Sequence, residues 1–169
     1  PLFVEELTKS VIESVGSLGS VEPLGSPRHT PLQLAIPATL HDSLMARLDR
    51  LASAKEVAQI GSVIGREFSH ELLTAIAAET AQYLQSALDQ LIDSGLILRR
   101  GLPPKAAYTF KHALVQDAAY GTLLRSKRQE LHARIAHTLE EGFPETVETQ
   151  PELLARHFSE AGLADRAIA

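Results

Sequence analysis

Apolar residues recur at helical spacing along most of the chain, and the stretches are separated by glycine and proline. Leu2, Phe3, Leu7, Val11, Ile12 and Val15 fall on one side of a helix, with Glu5, Glu6, Lys9 and Glu13 elsewhere on the cylinder. Residues 16–37 lose this period and collect Gly16, Gly19, Pro23, Gly25, Pro27, Pro31 and Pro37, which predicts a flexible loop. Pro37 then opens a helix striped by Leu40, Leu44, Leu48 and Leu51, and a second helix runs from Ala52 to Ile64, stopped by Gly65. Further helices are predicted over Ser69 to Ala77 and Thr80 to Ser94, the latter carrying Leu84, Leu88, Leu91 and Ile92 on one face and ending at Gly95. The runs Leu96 to Arg100 and Ala107 to Lys111 read as short strands around Gly101-Leu102-Pro103-Pro104, a β-hairpin. Amphipathic helices follow over His112 to Leu124 and Ser126 to Glu141, and Pro144 to Pro151 reads as a break.

Helix, helix, hairpin is the order of a winged helix, so the predicted fold class is mostly α, with a winged helix and a short β-hairpin at its centre. A winged helix that reads DNA lays its second helix in the major groove and needs cations against the phosphates. Residues 79–95 contain Glu79, Asp89 and Asp93 and no Lys or Arg, so DNA reading is disfavoured. Arg99, Arg100, Lys105, Lys111, Arg125, Lys127 and Arg128 are more simply a solvated face.

Composition narrows the chemistry. The 169 residues are 44% hydrophobic and 22% charged with a formal charge of -5, which is the range of globular domains. There is no cysteine, hence no disulfide, thiolate metal site or thiol nucleophile. No run approaches the roughly 18 apolar residues of a membrane span, and the first residues lack the pattern of a signal peptide, so a soluble, cytoplasmic chain is expected. The start at Pro1 points to a piece of a larger protein. His29, His41, His70, His112, His132, His137 and His157 form no metal-binding spacing; His132 and His137, five apart, do not share a helix face well. Without a nucleophile elbow, phosphate loop or carboxylate pair, no catalytic residue and no metal site are expected, and the segment by itself is not read as an enzyme. His112 stands apart, because it falls where the second strand of the hairpin runs into a helix. There it has two readings: a donor to an anion beside helix N–H groups, or a residue that caps the helix or packs beneath the wing.

Near the C-terminus, Leu154-Ala155, Phe158, Gly162 and Ala167 resemble the helix pair of a tetratricopeptide repeat, with Ala155 for Gly and Phe158 for Tyr. A generic helical hairpin is the alternative. Pro1-Leu2-Phe3-Val4-Glu5-Glu6-Leu7 resembles the stretch that follows the Gly-x-Pro of STAND-type, NB-ARC-like AAA+ ATPases. Ile36-Pro37-Ala38-Thr39-Leu40, Arg47 to Leu51, Ile64 to Phe68 and Phe110 to Tyr120 are similar to the bacterial members fused to class III adenylate or guanylate cyclases. The resemblance implies a helical ATPase lid over residues 1–64, a winged helix over 65–125, and a linker with the start of a tetratricopeptide-like array over 126–169. It implies ATP or ADP with magnesium, held through an upstream P-loop domain, with Pro1 at the adenine pocket and His112 at the phosphate. Pro1 has an alternative role in shaping the turn into the lid helix. Ala113 stands where the family motif has Asp, which removes a carboxylate from any latch there. The implied partners are the P-loop domain, the downstream repeats and other proteins, with neither membrane nor nucleic acid. The implied function is a nucleotide-switched regulatory segment of a signalling protein; the alternative is an interaction scaffold that senses no nucleotide.

Overall fold

The computed structural model describes residues 40–163 and 165; Pro1, the predicted helix over Leu2 to Val15, the loop over 16–37 and Ala167 lie outside the described residues. Among the described residues the fold is mostly α, with eight helices and one antiparallel sheet. Helices α1 (Leu40–Arg50) and α2 (Ala52–Ile64) come first, followed by strand β1 (Glu67–Ser69) and helices α3 (His70–Ile76) and α4 (Ala81–Asp93). The hairpin is β2 (Ile97–Arg100) and β3 (Ala107–Phe110); four helices follow, α5 (Ala113–Gly121), α6 (Arg125–Gly142), α7 (Pro144–Thr149) and α8 (Pro151–Glu160). The run α2-β1-α3-α4-β2-β3 has the element order of a winged helix.

Local chemistry sets these boundaries. Ser69 and Thr80 stand at the N-caps of α3 and α4, where their hydroxyls accept the amides of Leu72 at 3.1 Å and Tyr83 at 3.3 Å. The end of α4 is fixed by Gly95 at φ 68°: its N–H donates to Ile92 O at 2.8 Å and that of Leu96 to Leu91 O at 3.0 Å, the paired closure that needs a left-handed residue. Gly162, at φ 79°, closes α8 in the same way through Ser159 O and Phe158 O. The segment read as a break between Pro144 and Pro151 is instead the six-residue α7, because each proline occupies the first turn of a helix, where its missing N–H costs nothing.

Strand β1 was not apparent in the sequence. It pairs with β3 in the register Glu67↔Thr109, Phe68↔Tyr108, Ser69↔Ala107, which makes β3 the central strand of the order β1-β3-β2. Three residues with a single apolar side chain carry too little alternation to be recognised; the strand is specified by what Phe68 meets. That ring stacks on Tyr108 at 5.7 Å and lies 5.7 Å from Phe110, and all three are 3% exposed or less.

Helix α2 runs through the middle of the molecule and packs on α1, α4, α5, α6 and β1. Val57, Ile60 and Ile64 share one core with Leu44 and Leu48 of α1, Leu84, Leu88 and Leu91 of α4, and Leu131, Ile135 and Leu139 of α6. The core is therefore continuous across residues 64 and 125.

Candidate functional site

His112 is the N-cap residue of α5, directly after β3, with extended backbone (φ -135°, ψ 143°). Its side chain makes no capping hydrogen bond, although the residue is half-buried and its Nε2 is shielded from solvent. The first turn of α5 contains no acidic residue, and Ala113 and Leu114 are exposed. The main-chain donors of this turn and the imidazole thus stand at the same end of a nine-residue helix, the pole of the backbone dipole that attracts negative charge.

A second constellation lies where α5, α6 and α8 meet. His132 of α6 and His157 of α8 are 4% and 0% exposed, and their Nδ1 atoms approach to 2.8 Å. One proton must lie between the two nitrogens for this to be a hydrogen bond. Tyr120 Oη of α5 stands 3.3 Å from the other ring nitrogen of His132. At the far end, Arg156 Nη2 donates to the backbone carbonyl of Ile64 at 2.7 Å and stands 3.3 Å from His157 Nε2. The chain closes with every nitrogen satisfied if Arg156 Nη2 donates to His157 Nε2, His157 Nδ1–H donates to His132 Nδ1, and His132 Nε2–H donates to the tyrosine oxygen. It works only with both rings neutral. Burial, reinforced by the charge on Arg156 and by His132, pushes the His157 imidazole down to about 3 against the opposing carbonyl. Burial also lowers His132, with Glu160 pulling the other way and Arg156 adding to the fall. Beside the pair is a polar cavity of 210 Å³, bordered by Gln116, Asp117, Tyr120, His132, Arg156 and Glu160.

Both constellations lean on the C-terminal turn of α2. A helix leaves its last carbonyls without partners of its own, and α2 has no basic residue in its final turn. Two distant side chains serve instead: Gln116 of α5 donates to Ser62 O at 3.1 Å and Arg156 of α8 to Ile64 O at 2.7 Å.

Of the residues singled out by sequence, His112 is thus placed and Pro1 lies outside the described residues. The buried pair was not singled out. A sign of it exists in the periodicity, since His132 interrupts the face formed by Leu131, Ile135 and Leu139 and His157 precedes Phe158 on the buried side of α8. Two cations of the hairpin face acids: Arg100 lies 3.0 Å from Glu67 and Arg99 3.7 Å from Asp89. Among the described residues no group of three or more His, Asp or Glu is arranged to hold a metal ion, and no helix is long and apolar enough to cross a membrane.

No family model and no solved structure matches the chain. It is 29% identical over 170 residues to an uncharacterized protein of Rhizobium meliloti (strain 1021), an alignment that covers 99% of this chain and 16% of that relative. The chain thus spans about a sixth of the length of the protein it matches.

Proposed function

We propose that this chain is the regulatory segment of an ATP/ADP-switched signal-transduction ATPase of the STAND type, cytoplasmic, with a cyclase as its output. The observation that carries the reading is the seat of His112, between the last wing strand and the N-terminus of α5. A phosphate oxygen suits that position, because the imidazole and the first N–H groups of α5 are donors on one helix pole. ADP bound to an upstream P-loop domain would be held by His112 and these amides in a closed state, and exchange for ATP would open it. Such a switch works only through a difference in affinity between the two states. With Ala113 in place of the family carboxylate, the imidazole and the main chain are the donors this segment supplies. The long relative of which the chain covers 16% leaves ample length for further domains.

The test is ADP dissociation from the full-length parent, native against His112→Ala. Release about tenfold faster in the variant, with an unchanged melting curve, is the expected result; that ratio corresponds to about 1.4 kcal/mol, the worth of one hydrogen bond to a charged group. Equal release rates would reduce His112 to a structural residue. Absence of nucleotide binding in both would favour the scaffold reading, in which the exposed Leu98 and Leu102 of the wing meet a protein partner.

A further inference from the structure

The buried histidines join two parts of the chain that are otherwise held together differently. Helix α8 gives the core Leu153 and Leu154 only as half-buried side chains, and its two fully buried residues are His157 and Phe158. Phe158 packs edge-on against the ring of His137 on α6. The remaining links of α8 to the winged helix are polar: Arg156 to the end of α2, and the Tyr120, His132, His157 chain. The α1 to α6 core closes around α2 without Arg156, His132 or His157, and Tyr120 packs against it from α5.

We propose that the His132–His157 pair is a proton-operated latch, which holds α8 on the winged helix while both rings are neutral and releases it when the pair takes up a proton. The argument is one of linkage. In the closed arrangement only one proton fits between the Nδ1 atoms, and an added charge would be buried beside the Arg156 guanidinium. With α8 undocked both imidazoles reach water and bind protons in the ordinary way. Protons therefore prefer the open form, and acidification shifts the population toward it.

The surrounding groups set how strongly. From α5 the pair faces Tyr120, with Asp117 across the adjoining cavity; from α8, Arg156 and Glu160; from α2, the Ile64 carbonyl. On α6, Arg128 stacks over the Tyr120 ring at 4.4 Å, and the His137 ring lies against Phe158. Glu160 favours a charged His132 whereas Arg156 opposes charge on both rings. The sign is that of a base weakened by folding: the closed form binds fewer protons than the open one between the closed-state and ordinary values, so docking is complete above about pH 7 and weakens as pH falls through 6.5. This latch needs no nucleotide and stands apart from the reading of His112.

Hydrogen exchange of the whole 169-residue chain, followed at α8 and α4 amides and corrected for the intrinsic rate, tests it. Between pH 7.5 and pH 5 the opening constant of α8 should rise about 30-fold from His157 alone, with α4 protection changing little over the same interval. In His132→Leu/His157→Leu, where both polar partners are removed together, α8 protection should lose its pH dependence. The proposal is overturned if α8 and α4 lose protection together in the native chain, or if the double variant keeps the native slope. Should the variant fail to fold, ring carbon-13 titration of the native chain decides: two imidazoles titrating near 6.5 with α8 protected throughout would overturn the latch, and a pair silent until α8 opens would support it.

Discussion

Adding one methyl group at Gly61 sets two effects of opposite sign against each other. Gly61 lies inside α2, where alanine is better than glycine by about 1 kcal/mol. A Cβ built there meets Cε1 and Cζ of Phe68 at 2.8 Å each, short of the roughly 3.5 Å or more of a comfortable carbon contact. The Phe68 ring cannot swing away cheaply, since it is 3% exposed and wedged beside Tyr108 and Phe110. Overpacking of this kind costs about 1–3 kcal/mol. Gly61→Ala is therefore expected to lose about 1 kcal/mol net in urea unfolding, with m unchanged. The decisive measurement is a double-mutant cycle with Phe68→Leu, which withdraws the two ring atoms that clash. In that background Gly61→Ala should stabilise, giving a coupling energy of about 1–2 kcal/mol. A gain of about 1 kcal/mol from Gly61→Ala in the native background, or coupling near zero, would refute the claim that a bare α2 backbone seats β1.

Two further substitutions test the helix ends. Gly95→Ala places a side chain at φ 68° and should cost about 1–2 kcal/mol by urea unfolding; a neutral result would mean that the α4 end relaxes into another closure. Ser69→Ala removes the acceptor for the Leu72 amide and should lower stability by about 1 kcal/mol, whereas Ser69→Gly should lose only a few tenths more than nothing; equal losses would point away from the cap.

The helices and the hairpin were legible because their signals are local. Ser69, Thr80 and Gly95 act on amides and carbonyls within a few residues, and the leucine face of α4 repeats within one helix. The strand β1 was not legible, because its evidence lies in the partner: Phe68 makes a strand only once Tyr108, forty residues on, is beside it. The same holds for the buried pair. His132 and His157 are 25 residues apart, and Arg156 reaches a carbonyl 92 residues earlier. At the level of sequence His132 and His157 each look like a polar residue on an apolar face, and nothing in their spacing tells that the two will meet.

These non-local contacts converge on five residues. Between Gly61 and Gly65, α2 receives the Phe68 ring at the one glycine that admits it, the Gln116 amide on Ser62 O, and the Arg156 guanidinium on Ile64 O. The first of these fixes the sheet, the second fixes α5 four residues into the helix that His112 opens, and the third holds α8. A helix end of ordinary sequence would have met its orphan carbonyls with its own residues and left α5 and α8 without a common support. Because α2 lacks a basic residue in that turn, its carbonyls remain for partners from both sides. Displacing α8 removes the Arg156 cation from the negative pole of α2, two residues beyond the carbonyl that takes the Gln116 amide of α5.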